Sequence, residues 1–178
     1  MIENPKFLNR LQKEYSNITT SQSLFKVSLI DEDIQHWLVT FTGPEDTAYA
    51  GLEFRLEITI PVGHFTIYYM QNRWPLEIPD FVFLSKVFHP NVYSSGRICL
   101  DVIQSSAYSP AATLEGQLNN ILLLLQNPNC DSPANGRAAT VYRNSYKEFC
   151  ETVKREHRKC ISLFQQTHNI YRELISFA

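Results

Sequence analysis

A surplus of charge of either sign is missing from this chain: 16 Lys and Arg face 18 Asp and Glu in 178 residues, a formal net charge of −2. That balance supplies neither the basic footprint of a nucleic-acid-binding surface nor a polybasic membrane anchor, so recognition must rest on local patches. Long apolar runs are missing too. The longest, Ile121 to Leu125, falls far short of the roughly 20 residues that cross a bilayer, and no apolar signal region opens the chain. The expectation is a soluble, intracellular protein, cytoplasmic and/or nuclear, with no nucleic-acid and no membrane partner. Cysteine is sparse: Cys99, Cys130, Cys150 and Cys160 lie 31, 20 and 10 residues apart, without the C-x-x-C pairs of a zinc site or the density of a disulfide scaffold, and read as free thiols. His36, His64, His89, His157 and His168 are scattered, so no metal site is expected. Internal repeats and low-complexity segments are absent, and the length fits one domain with an extension.

What is present is a succession of short elements. Asn4-Pro5 opens a helix with Leu8, Leu11 and Tyr15 on one face and Lys6, Arg10 and Lys13 largely on the other. Those cations read either as a solvated face or as a docking face. Leu24 to Ile30, Trp37 to Thr42, Glu53 to Ile60 and Phe81 to Leu84 read as strands, with turns at Asp31-Glu32-Asp33 and Gly43-Pro44-Glu45-Asp46, which predicts an antiparallel meander. Thr113 can cap a helix through Leu114, Leu118, Ile121, Leu122 and Leu125, and Asn135 a helix from Gly136 to about Arg143. Ser145-Tyr146-Lys147-Glu148 is a capping-box signature for a last helix, whose stripe of Phe149, Val153, Cys160, Ile161 and Phe164 is interrupted by the charged Lys154 to Lys159. The sum is an α+β fold: an N-terminal helix, a four-stranded antiparallel β-meander, then a loop and C-terminal helices.

Between the second and third groups of elements lies His89 to Asp101, HPNVYSSGRICLD, centred on Cys99. Pro90, Asn91, Ser94, Ser95 and Gly96 are turn formers that cannot make a regular ladder, so Cys99 sits on irregular backbone at the edge of the fold. A thiol on such a loop can be reached by a partner, whereas the apolar Ile98 and Leu100 beside it suit a buried structural Cys.

The ordered set His89-Pro90-Asn91, Gly96, Ile98-Cys99-Leu100, Tyr108-Ser109-Pro110-Ala111 and Asn127-Pro128-Asn129 resembles the catalytic core of the ubiquitin-conjugating enzymes, over roughly Pro5 to Lys154. The resemblance implies a core over residues 1–158, with 159–178 as a C-terminal helical extension. It implies that Cys99 accepts ubiquitin as a thioester from an activating enzyme and passes it to a substrate lysine or a ligase cysteine. Asn91 occupies the family's Asn position, where its amide either stabilises an oxyanion or holds the loop in shape. Tyr93, Asp131 and Ser132 match positions that flank the incoming lysine, with Ser132 where many members carry Asp. Lys6, Arg10 and Lys13, the turn at Pro75 and Leu76, and Ser109, Pro110 and Ala111 match the surface for activating enzyme and ligase. No cofactor is implied, since ATP is used by the activating enzyme. The implied partners are ubiquitin or a ubiquitin-like protein, the activating enzyme, ligases and protein substrates. Another ubiquitin-like modifier and a catalytically silent ubiquitin-binding module are the alternative functions, and a cysteine hydrolase built on Cys99 and His89 lacks a third, orienting group. One departure stands out: Val62 to Asn72, an aromatic and apolar insertion before the Trp74-Pro75 turn, reads either as a longer hairpin or as a patch that selects ligases.

Overall fold

A computed structural model describes residues 5–61, 75, 77–99 and 111–159. The Val62–Asn72 insertion, Leu76, Ser109, Pro110 and the tail after residue 159 lie outside these, and the expected domain boundary falls at their limit.

Helix α1, Pro5–Thr20, buries Phe7, Leu11, Glu14 and Ile18. Their spacing of four, three and four residues draws one stripe. Leu11 is central to the predicted face, but Leu8 and Tyr15 flank it half-buried while Phe7 and Ile18 carry it. Strands β1 Lys26–Ile30, β2 Asp33–Thr42, β3 Glu53–Thr59 and β4 Asp80–Phe83 form one antiparallel sheet in sequence order. Asp31 and Glu32 both take positive φ, 52° and 57°, as a two-residue hairpin turn of the primed type demands. That turn pairs Ile30 with Asp33, so β2 begins four residues ahead of the expected Trp37.

Alternation along β3 points Phe54, Leu56 and Ile58 into the core, where Phe41, Phe54 and Phe83 pack ring against ring. Tyr15 meets Trp37 edge-on at 5.4 Å and fastens α1 to the sheet. The indole itself is satisfied by the Ile34 carbonyl at 2.6 Å.

Three helices follow: α2 Leu114–Gln126, α3 Gly136–Asn144 and α4 over residues 146–159. Each predicted cap forms: Thr113 Oγ1 accepts from Gly116 N–H at 3.0 Å, Asn135 Oδ1 from Ala138 N–H at 3.1 Å, and Ser145 Oγ from Glu148 N–H at 3.3 Å. Helix α2 turns Leu124 inward and leaves the predicted Leu122 half-buried. The charged run in α4 does not interrupt its stripe. Phe149 and Val153 are followed by His157, only 3% exposed, with its ring centroid 5.1 Å from that of Phe54.

Candidate active site around Cys99

The segment leaving β4 is fixed from beneath before it reaches the thiol. Tyr49 Oη donates to the Phe88 carbonyl at 2.9 Å from a fully buried position. His89, with no exposed surface, stands next. Its Nδ1 accepts from Asn91 N–H at 2.9 Å, which places the ring proton on Nε2, and Nε2 then donates to the Leu124 carbonyl at 3.0 Å. Burial holds this imidazole neutral, with a pKa lowered to about 4 against the opposing pull of the Leu124 carbonyl. Both ring nitrogens are spoken for inside the fold, so His89 cannot serve Cys99 as the base of a hydrolase pair.

Beyond Asn91 the chain makes a miniature hairpin. Val92 bridges Ile98, Tyr93 N–H donates to the Arg97 carbonyl at 2.9 Å, and Gly96 N–H closes the turn onto the Tyr93 carbonyl at 2.9 Å. Gly96 takes φ 88°, and a Cβ there would stand 2.1 Å from the Phe83 carbonyl oxygen. The turn therefore lies flat on β4, where Phe83 N–H donates to Gly96 O at 2.9 Å and Val82 bridges Arg97. Arg97 also pairs with Asp80 at 2.5 Å. Returning along this hairpin, the chain brings Cys99 back beside Asn91, and Cys99 N–H donates to the Asn91 carbonyl at 2.9 Å.

The Asn91 side chain faces the other way and grips a second loop. Its Nδ2 donates to the Asn129 carbonyl at 2.7 Å and its Oδ1 accepts from Asn129 N–H at 2.8 Å, a paired contact between a side-chain amide and a peptide group. Pro90 O accepts from Asn135 N–H at 2.8 Å, and Asn129 Oδ1 accepts from Asp131 N–H at 3.0 Å. Arg143, from the end of α3, donates to the Cys130 carbonyl and lies 3.4 Å from an Asp131 carboxylate oxygen.

Cys99, Asn91 and the loop of Asp131 and Ser132 thus share one short chain of hydrogen bonds. Tyr93 stands on the same hairpin, 46% exposed, and Asp131 and Ser132 are exposed on their loop. Cys99 is a free thiol but only 6% exposed, so it combines the loop position with the burial of a core residue. Cys130 and Cys150 are free as well, and Cys160 lies outside the described residues. Among the described residues no cluster of three His, Cys, Asp or Glu could hold a metal ion, and no helix is long and apolar enough to cross a membrane.

The expected docking residues divide. Lys6 and Lys13 are exposed on α1, and Pro75 is half-buried. Arg10, Lys13 and Ala111 line one groove of about 390 Å³ with Glu14, Asn17 and Thr113. Yet Arg10 turns inward, donating to the Ala112 carbonyl at 3.2 Å with its Nε 3.7 Å from Glu14 Oε1. Sequence reasoning passed over Glu14, Arg143 and His157. Glu14 had a signal only in the helical stripe, where it falls between Leu11 and Ile18.

Residues 10–157 match the family model for ubiquitin-conjugating enzymes. The "Ubiquitin-conjugating enzyme E2" of African swine fever virus, isolate Pig/Kenya/KEN-50/1950, is 35% identical over 160 residues, covering 85% of this chain and 69% of the viral one. "Ubiquitin-conjugating enzyme E2 3" of Arabidopsis thaliana is 37% identical over 138 residues, 78% of this chain and 80% of the plant protein. Among solved structures, the "putative ubiquitin conjugating enzyme from Plasmodium yoelii" superposes with a TM-score of 0.73 at 33% identity, over 89% of this chain and 97% of that one. A helix leading a four-stranded antiparallel meander, a cysteine on the hairpin beyond it, and a sequence match across both place this chain in the family of ubiquitin-conjugating enzymes.

Proposed function

We propose that Cys99 is the acceptor of ubiquitin, taking it from an activating enzyme and passing it to a substrate lysine or to the cysteine of a ligase. The observation that carries this reading is the placement of a free thiol where the Asn91 carbonyl holds its own peptide and the Asn91 side chain holds the loop of Asn129. In the charging step the Cys99 thiolate attacks the thioester carbonyl on the activating enzyme. A new C–S bond forms, the old one breaks, and the activating enzyme's thiolate leaves. One thioester replaces another, so this chain needs no cofactor, the energy of ATP having been spent upstream. In discharge an unprotonated amine attacks the Cys99 thioester, the C–N bond forms, the Cys99 thiolate leaves, and the amine's surplus proton passes to solvent. Asn91 supports this step by holding the hairpin and the Asn129 loop in one arrangement. Tyr93 on one side and Asp131 and Ser132 on the other flank the approaching lysine. Lys6, Lys13 and the groove beside Ala111 face the activating enzyme and ligases, and the chain works in the cytoplasm and/or nucleus.

The test is incubation with activating enzyme, ATP and a panel of modifiers, followed by a non-reducing gel. Ubiquitin gives a thiol-sensitive adduct, which Cys99→Ser converts to a thiol-resistant ester. Cys130→Ala, Cys150→Ala and Cys160→Ala charge like the parent. Loss of charging in one of these three, with the fold intact, overturns the assignment.

A further inference from the structure

The loop of Asn129 to Asp131 is held from two sides. From the hairpin that carries Cys99, the Asn91 side chain takes the N–H and the carbonyl of Asn129. From α3, Arg143 Nη2 donates to the next carbonyl, that of Cys130, and lies 3.4 Å from Asp131 Oδ1. Helical side chains tilt toward the N-terminal end, and Arg143 stands eight residues, about 12 Å of helix, beyond the Asn135 cap, so reaching back to a loop that precedes the helix takes a long side chain. Its base is firm. Tyr142, adjacent in sequence, meets Phe149 edge-on at 5.0 Å, and Phe149 lies 5.7 Å ring to ring from Phe88, the residue before His89. The other end of α3 is tied to the hairpin through Asn135 N–H and the Pro90 carbonyl.

The two contacts of Arg143 differ in weight. Asp131 is fully exposed and Arg143 about half exposed, so water and salt screen their attraction. The Cys130 carbonyl is a fixed backbone acceptor, and a hydrogen bond from a charged donor is the stronger kind. We propose that Arg143 is a positioning residue for transfer from Cys99: it anchors the Cys130 carbonyl, fixing the loop that Asn91 grips one residue earlier, and its charge restrains the hold of Asp131 on the arriving amine. The proposal deepens the functional reading above and rests on it for its consequence in discharge. A lysine arrives mostly as its ammonium, which a lone Asp131 carboxylate would hold in that form. Shared with the guanidinium, the same carboxylate attracts the cation less. Arg143 therefore favours rate over capture, and its removal should lower kcat for free lysine while KM stays level or falls.

The anchor is tested by native-state alkylation of the full chain with iodoacetamide, followed peptide by peptide by mass spectrometry. Cys130, a free and half-buried thiol in the loop itself, is the probe, and Cys150 on α4 is the internal reference. Arg143→Ala is expected to raise the Cys130 rate several-fold relative to Cys150. Loss of a nearby cation would by itself disfavour the thiolate, so a rise reports a loosened loop. Asp131→Asn should leave the ratio near that of the parent, and Arg143→Lys, which keeps one donor for the carbonyl, should fall between. An unchanged ratio in Arg143→Ala overturns the proposal, as does a parallel rise at both thiols, which marks general loosening. A rise in Asp131→Asn as large as in Arg143→Ala also overturns it, because the ion pair would then be the anchor. The second readout is discharge of pre-charged thioester at varied concentrations of free lysine. Arg143→Ala should lower kcat several-fold with KM no higher, and Arg143→Lys should recover part of kcat; an unchanged kcat, or a loss carried by a higher KM alone, overturns the role in transfer. Failure of the parent chain to charge with any modifier refutes the functional reading instead, and the alkylation ratio then decides the anchor alone.

Discussion

Asn91→Ala removes both hydrogen bonds to the Asn129 peptide, 2.7 and 2.8 Å long, and leaves a gap at a position with no exposed surface. Each lost bond costs about 1 kcal/mol and the gap adds to it, so a destabilisation of about 2–4 kcal/mol is expected, within the 5–15 kcal/mol typical of a domain. The variant should therefore fold with a loosened Asn129–Asp131 loop. On the function proposed above, charging draws only on the Cys99 thiolate and a docked activating enzyme, whereas amine attack draws on that loop in register as well. If about 2 kcal/mol of the loss enters the discharge barrier, discharge to free lysine slows by roughly 30-fold. Asn91→Asp is the sharper variant. It keeps an acceptor for Asn129 N–H but sets a carboxylate oxygen against the Asn129 carbonyl where Nδ2 now donates. Asn129→Ala is the control, because Asn91 grips only the backbone of residue 129, and it should cost no more than the bond from Asp131 N–H. Single-turnover charging and discharge, measured separately on each variant, decide the matter. Equal loss of the two half-reactions in Asn91→Ala, or an Asn129→Ala defect as large as that of Asn91→Ala, would refute the clamp.

Acid stability should carry the signature of His89. Its folded pKa of about 4 lies below its ordinary 6.5, so the unfolded chain binds the extra proton between these values. Stability is full above about pH 6.5 and falls by about 1.4 kcal/mol per pH unit toward pH 4, on the order of 3 kcal/mol in all. Urea titrations across this range should show the slope in the parent and lose it in His89→Gln, and an unchanged slope counts against the assignment. Gly96→Ala drives a Cβ to 2.1 Å from the Phe83 carbonyl at φ 88°, and should lower stability by more than about 2 kcal/mol. Gly51→Ala, at φ 72° with nothing within 4 Å, should cost about 1 kcal/mol, and thermal melts that rank the two in the reverse order would contradict the packing.

Periodicity and punctuation carried most of the fold because both are local. Phe54, Leu56 and Ile58 alternate whether or not β4 lies beside them, and Thr113, Asn135 and Ser145 accept from amides three residues on. The start of β2 was hidden because Ile34-Gln35-His36 has no clean alternation of its own and joins the ladder only through the Asp31-Glu32 turn. Cys99 and Asn91 could be singled out as a motif, but the partner of Asn91 is the backbone of a residue 38 positions away, and no residue type announces a peptide group. The stripe position of Glu14 signalled burial but not its partner, since its acceptance from Leu114 N–H depends on where α2 begins. His157 was lost among Lys154 to Lys159, where a polar residue that packs on an aromatic ring looks like one more solvated group. Hydrophobic pattern says which side of an element faces inward; it does not say which buried polar groups satisfy each other.

That distinction bears on how a lysine loses its proton here. His89, the nearest imidazole in sequence to Cys99, is neutral, buried, and bonded through both nitrogens to Asn91 and Leu124. Drawing it into catalysis would require breaking the bond that orients Asn91 and exposing a ring that the fold keeps dry. In the proposed discharge reaction the amine then sheds its proton to solvent, and the expected rate follows the unprotonated fraction. With an ordinary lysine pKa of about 10.4, discharge to free lysine should rise close to tenfold for each pH unit between about pH 6.5 and 8.5. Desolvation at the Tyr93 and Asp131 flanks would lower the lysine's pKa and bend this line to a plateau at its upper end. Neither case produces an inflection near pH 6 to 7. Pre-charged thioester chased with excess lysine across that range measures the profile directly, with charging kept out of the assay. An inflection near pH 6 to 7 in the parent that disappears in His89→Gln would show that the imidazole takes the proton after all, and that the bonds to Asn91 and Leu124 open during the reaction.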